Sequence, residues 1–241
     1  MIPQRQLVIA SRLLKLRLQY KAIANPLKIV SVDPAAIKHF GRIGSTWESV
    51  AKVTDGEWDQ EVSELNFRWG RKRLEWVSRD LQSLPKPQAI RKRFVDHQAW
   101  EETGIYEFYE HMIARHGRFD GCTHREDIKD RLSSIDRLYQ SMKQDGYDPS
   151  HHKTLAPKWW KKSHLSAMDF PRVNIGRNGE FLFTGGAWHR LTIAQILGID
   201  EIPCWVLCRH ADWQKKREVI RSTNGTVDGI AESHPDLQDV I

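Results

Sequence analysis

The chain has 241 residues, 40% of them apolar, with 37 Lys and Arg against 31 Asp and Glu and a formal net charge of +6. That is enough for one large domain or two small ones with a packed core, and it excludes extended disorder. No apolar run approaches the roughly 20 residues that span a bilayer, and residues 1–10 lack a signal peptide's apolar core and cleavage site, so a cytoplasmic protein is expected. Three cysteines supply no disulfide framework and fit a reducing compartment. The basic excess favours anionic partners without identifying nucleic acid.

In chain order, S-R-L-L-K-L-R-L-Q-Y reads as a basic amphipathic helix with Leu7, Leu14 and Leu18 near one face. Such a helix either packs its leucines on its own domain, the better reading, or lies on an acidic membrane surface as a peripheral contact. L-K-I-V-S-V after Pro26 reads as a strand, and Asp33 followed by Pro34 as a helix start with N-cap and first-turn proline. From Gly41 to Gly121 the sequence is rich in Trp, Arg and Glu, contains P-K-P at 85–87, and carries a helix from about Thr103 that Gly117 ends. A second helix starts at a capping box of Thr123 and Glu126 and repeats Ile128, Leu132, Ile135, Leu138 and Met142 up to Gly146.

His151 to Pro171 is a basic and aromatic stretch, including P-K-W-W-K-K-S-H. Lys153, Lys158 and Lys161 would add charge, and Trp159 or Trp160 would stack on a base, if it folds over a phosphate site; otherwise it is an exposed loop held by one Trp. The strands V-N-I and E-F-L-F-T flank the hairpin signal R-N-G. A helix after His189, the strand I-P-C-W-V-L, a helix over Asp212–Arg221 and a short tail complete the chain.

The segment F-L-F-T-G-G-A-W-H-R, Phe181 to Arg190, is the most informative stretch. An apolar strand enters a double glycine and leaves into the helical pattern L-T-I-A-Q-I-L closed by Gly198. Gly185 and Gly186 allow positive φ and close approach of a ligand. The first-turn amides of the following helix lack intrahelical partners and sit at the positive end of its dipole, so they favour an anion. Trp188, His189 and Arg190 add side chains suited to a nucleotide phosphate site.

Other constellations admit two readings each. Asp55, Glu57 and Asp59 in D-G-E-W-D would share one face of an extended segment and could ligate Mg²⁺ or act as a general base beside His189; equally, they form an Asp-Gly turn with solvated carboxylates. Cys204, Cys208 and His210 fall short of a four-ligand zinc set, and the cysteines read as buried core thiols. Arg209 and His210 follow the last core strand, where α/β folds often bind ligands. Ser141, on the helix before Gly146, either packs locally or lines the pocket.

The order of strand (Leu27 to Val32), helix ending in L-Y-Q-S-M-K-Q-D-G-Y, hairpin, G-G-x-x-H-R, helix with Ala194 and Gly198, and I-P-C-W-V resembles the ParB/sulfiredoxin superfamily over 128–207 plus the first strand. The resemblance implies an α/β (α+β) fold with a compact mixed sheet and packed helices. It divides the chain into an N-terminal helix (1–25), a core domain (26–210) with 41–121 as a mainly helical insertion, and a C-terminal helix and tail (211–241). It also implies that the turn binds nucleotide phosphates: sulfiredoxins use ATP, partition proteins bind and hydrolyse CTP, and some relatives phosphorylate free serine. Ala187 and Trp188 occupy the place of the sulfiredoxin cysteine, which argues against that activity. Too little chain follows Leu207 for a full partition protein. The expectation is therefore a nucleotide-binding protein, an NTP-dependent phosphotransferase or hydrolase using ATP or CTP with Mg²⁺. The first alternative is a DNA-binding protein or nuclease, on the strength of K-W-W-K-K and the R-K-R runs at 71–73 and 91–93. The second is a non-catalytic interaction module.

Overall fold

The computed structural model describes residues 4–26, 28–41, 49–60, 65–69, 72–76, 80–148, 170–223 and 234–241. Its element order is α1 (Gln4–Gln19), β1 (Ile29–Val32), β2 (His39–Phe40), β3 (Lys52–Thr54), β4 (Leu65–Trp69), β5 (Lys72–Trp76), α2 (Pro85–Phe94), α3 (Ile105–His116), α4 (Arg125–Asp145), β6 (Arg172–Ile175), β7 (Phe181–Gly185), α5 (Trp188–Leu197), β8 (Ile202–His210) and α6 (Ala211–Ser222). The fold is α/β, as expected. A mixed sheet of six strands runs β1-β8-β6-β7-β2, with β3 beside the second half of β8, and β4 and β5 form a separate hairpin. No helix among the described residues is long and apolar enough to cross a membrane.

The long strand β8 organises the core because its side chains alternate between the two faces of the sheet. Cys204 and Val206 join the main cluster with Leu132, Ile135 and Tyr109, whereas Trp205 and Leu207 pack with Val50, Ile9 and Leu13 on the opposite face. Helices therefore cover both faces. Cys204 and Cys208 are free and buried, as expected of core thiols, and Cys122 is free and buried too.

Several local expectations shift. In α1 the face turned to the body is Ile9, Leu13 and Leu16, while Leu14 and Leu18 are exposed. Arg12 anchors that orientation through the Val50 carbonyl. Asp33 does cap Ala35, but the helix stops after one 3-10 turn, Pro34–Ala36, and the Gln195 amide binds the Pro34 and Ile37 carbonyls. The N-cap of α4 is His124, one residue beyond Thr123, since the Asp127 carboxylate reaches back to the amides of both Thr123 and His124. Helix α3 ends at left-handed Gly117 as read.

Residues 234–241 are part of the core unit. Leu237 is buried, His234 stacks on Phe181, and Asp236 accepts from Arg209 Nε at 2.9 Å and Trp213 Nε1 at 3.0 Å and pairs with Arg217 at 3.3 Å.

Candidate functional site

The hairpin β6–β7 and the turn into α5 set the geometry. At the open end of the hairpin Arg172 pairs with Gly185, and three successive residues have positive φ: Gly185 at 135°, Gly186 at 70° and Ala187 at 44°. The glycines adopt this freely, but Ala187 is held in a left-handed conformation that costs an L residue about 1–2 kcal/mol. A Cβ on Gly186 would lie 2.7 Å from Arg172 Nε and 3.0 Å from the Phe170 carbonyl, so the glycine allows the guanidinium to lie against the turn. Helix α5 begins at once, and its N-cap residue, Ala187, has no side chain that can cap it.

The start of α5 opens onto a cleft of about 300 Å³ lined by Gly186 to Arg190. Four cations from four elements converge on it: Lys86 at the start of α2, Arg131 on α4, Arg172 on β6 and Arg190 on α5. Among the described lining residues one carboxylate faces them, Asp120, whose side chain accepts from Lys86 Nζ at 2.8 Å, from the Tyr109 hydroxyl at 2.7 Å and from Arg131 at 3.4 Å. Asp120 occupies the first central position of an Asp-Gly turn between the paired Phe119 and Cys122, and its φ of 50° with 93° at Gly121 fits a type I′ turn. Burial acts to raise the Asp120 pKa, yet Lys86, His189 and Arg131 hold it well below the usual carboxylate range.

His189 lines the same cleft, with Nε2 3.8 Å from Asp120 Oδ2. Burial lowers its pKa to about 3, with Lys86, Arg131 and Arg190 adding to the effect and Asp120 opposing it. It is a neutral imidazole at pH 7. Burial likewise lowers the pKa of Lys86, against the pull of Asp120. The Lys86 ammonium sits 4.7 Å from the centre of the Phe119 ring, a cation–π contact that favours its charged form.

Of the residues read from the sequence, Gly186, Trp188, His189 and Arg190 line the cleft, and Gly185 sets the turn beside it. Trp188 is half-buried and stacks on Phe40 with centroids 5.5 Å apart, which fixes the first turn of α5. Ser141 lies beyond the stretch of α4 that lines the cleft, which ends at Leu138.

The acidic cluster is elsewhere. Asp59 accepts from the Arg177 amide at 2.8 Å and its guanidinium at 2.9 Å and 2.8 Å, and Glu57 pairs with the same guanidinium at 3.0 Å. Arg177 belongs to the turn that closes the β6–β7 hairpin, at the opposite end of β6 from Arg172. Asp55, Glu57 and Asp59 are thus not beside His189, and their requirement for metal or base chemistry there is not met. Asp59 and Glu57 serve instead to fix the hairpin tip, while Asp55 is exposed beside His210. Burial acts to raise the Asp59 pKa, but the Arg177 hydrogen bonds bring it down to about 2.

Arg209 and His210 are at that same end. Arg209 is in a buried ion pair with Asp236 at 2.5 Å. Asp55, His210 and Asp212 bring ligand atoms within 4.8 Å of one another. The imidazole, however, accepts the Asp212 amide at Nδ1 and so donates from Nε2 to the Gly56 carbonyl, at 3.1 Å and 3.0 Å. Neither ring nitrogen has a lone pair left for a metal.

Lys86, Asp120, Arg131 and Arg172 were not read as site residues. Lys86 and Arg131 did leave a signal, each being a cation three or four residues from core positions, Ile90 for the first and Ile128 and Ile135 for the second. The stretch 41–121, an insertion by the resemblance, supplies Lys86 and Asp120. Lys153, Lys158, Trp159, Trp160 and Lys161 lie outside the described residues, as does Arg71 of the 71–73 run. In the 91–93 run Arg93 is engaged by Asp136 at 3.0 Å and lies over Trp100. Comparisons of the chain with protein-family models, with curated proteins and with solved structures return no match.

Proposed function

We propose that the chain binds a phosphorylated nucleotide, ATP or CTP by its resemblance to the ParB/sulfiredoxin superfamily, in the cleft at the start of α5 and acts as a phosphotransferase or nucleotide hydrolase. The observation that carries the reading is the convergence of the N-terminus of α5 with Lys86, Arg131, Arg172 and Arg190 in one cleft. A helix N-terminus, with the positive end of its dipole, and a group of cations in one cleft are what a phosphate requires. The amides of 186–190 and these four side chains would hold it. Phosphoryl transfer asks little of the protein beyond positioning and charge neutralisation, which such a cluster supplies without reorganising. Asp120, kept ionised by its donors, is the carboxylate placed to orient an attacking hydroxyl or water; its depressed pKa suits it to hydrogen bonding more than to proton abstraction. Neutral His189 would donate one hydrogen bond to the phosphate.

The test is a calorimetric titration of the protein with ATP, CTP and GTP, with and without Mg²⁺, repeated on a His189→Ala, Arg190→Ala double variant. Binding that disappears in the variant is the expected result. Undiminished binding in the variant, or no binding to any nucleotide, removes this reading.

A further inference from the structure

We propose that the outer face of α1 docks on an acidic lipid bilayer, the helix lying in the plane of the headgroups with the domain behind it. Three observations on the helix lead there. None involves the cleft at α5, so the inference is independent of the nucleotide reading.

The first is apolar surface that the fold presents outward. Ile9, Leu13 and Leu16 face the body, and Arg12 ties the helix down through the Val50 carbonyl. The helix is held by that side. On the other, Leu14 and Leu18 are 64% and 84% exposed, the two most exposed large apolar side chains among the described residues. Four positions apart, they are neighbours on the helix surface, and Val8, also exposed, borders them. Apolar residues scattered singly on a surface need no explanation, but a pair projecting from an anchored helix forms a patch.

The second is charge complementarity. Residues 1–32 contain six Lys and Arg and no Asp or Glu. Arg12 is engaged at Val50 and Lys28 pairs with Asp239 at 2.6 Å, while Lys15, Arg17 and Lys21 are exposed. At about 100° per residue, Lys15 lies roughly 60° to one side of Leu18 and Arg17 roughly 60° beyond Leu14 on the other. The leucine pair therefore has a cation on each flank. Their flexible stems let the charges reach lipid phosphates while the leucines enter the boundary of the acyl chains. The carboxylate of Glu218, which approaches from α6, is turned to the Lys21 and Ala22 amides at 2.8 Å and 2.6 Å.

The third is the shape of the face. A partner helix would read Ser11, Leu14 and Leu18 as a coiled-coil seam, but α1 has 16 residues, little more than two heptads, and such seams are sustained over about three or four. Ser11 also interrupts the apolar row. A second copy of the chain would bring Lys15 and Arg17 against the same charges. A bilayer asks for neither length nor register, only leucines bordered by cations.

The experiment is co-sedimentation of the full chain with phosphatidylcholine vesicles and with vesicles containing about 40% phosphatidylserine, without nucleotide. Binding to the acidic vesicles is expected, at least tenfold tighter than to the neutral ones and weakened by added salt. Leu14→Gln with Leu18→Gln should weaken it at least tenfold at an unchanged urea midpoint, since both side chains are exposed. Lys15→Gln with Arg17→Gln should weaken it about tenfold or more, each cation contributing roughly fivefold near an acidic surface. No binding to acidic vesicles would overturn the inference, and so would a leucine variant that binds like the wild type. A dimer in sedimentation equilibrium that the leucine variant abolishes, without lipid binding, would assign the face to a second copy instead. None of these outcomes bears on the nucleotide titration, and failure of that titration leaves this inference standing.

Discussion

Replacing Asp120 by Asn tests the electrostatic design of the cleft. The Lys86 residue is only 9% exposed, and its ammonium is balanced by a carboxylate whose side chain is 24% exposed. Removing one partner of a buried pair costs about 3–5 kcal/mol because the other charge is left in low dielectric. Partial solvation of Asp120 and the oxygen that Asn retains for Lys86 or Tyr109 bring the expected loss to about 2–3 kcal/mol. Urea unfolding followed by tryptophan fluorescence would report this as a lower midpoint at unchanged slope. ATP should bind the variant at least as tightly as the wild type, since the lining gains a net positive charge, and should restore part of the lost stability by mass action. Stability within about 0.5 kcal/mol of wild type would refute the claim that Asp120 balances Lys86. Weaker ATP binding would refute the view of the cleft as a cation cluster.

Three further outcomes follow from the same structure. His189 has a pKa near 3 in the folded protein against an ordinary 6.5, so the unfolded chain takes up a proton over a range where the folded one does not; stability is full above about 6.5 and falls with pH by up to about 1.4 kcal/mol per unit. His189→Gln should remove one proton's worth of that slope between about pH 6 and 4.5, above the range where Asp120 and Asp236 titrate, and urea unfolding across that window showing an unchanged slope would contradict it. Gly186→Ala meets both a φ of 70° and the Arg172 guanidinium, so it should cost about 2–3 kcal/mol in a urea melt and weaken anion binding more than tenfold; a variant indistinguishable from wild type in both would count against the turn geometry. Asp236→Ala leaves Arg209 and Arg217, 4% and 0% exposed, without their shared carboxylate, an expected loss of about 3–5 kcal/mol that a wild-type unfolding midpoint would disprove.

What the sequence made legible was local. The double glycine, the strand before it and the helix closed by Gly198 are written in contiguous residues, and α3 with its Gly117 stop is likewise a matter of spacing and caps. The α/β class came with the resemblance that these segments carry, and the mixed sheet with its helices agrees with it. What stayed hidden depends on partners far along the chain. Arg209 read as a ligand-end residue because its partner Asp236 lies 27 positions later in a tail that looked peripheral. Asp55, Glu57 and Asp59 looked like a metal set because nothing local reveals that Arg177 folds onto Glu57 and Asp59. Lys86, Asp120, Arg131 and Arg172 come from a helix start, a tight turn, a helix flank and a strand, and only tertiary packing brings them to one cleft. In α1, two leucine stripes of equal helical spacing compete, and the choice of Ile9, Leu13 and Leu16 over Leu14 and Leu18 is made by the groove beside Val50 and Trp205, not by the helix itself.

The central claim is that a phosphate chain is held at the start of α5. The most direct measurement is a titration of isotope-labelled protein with ATP, following backbone amide and arginine side-chain resonances. Shifts concentrated at Gly186 to Arg190, with Arg131 and Arg172 Nε signals moving at the same ligand concentrations, are the predicted result. Shifts confined to Asp55–Asp59, Arg177 and His210 at the other end of the hairpin would contradict it.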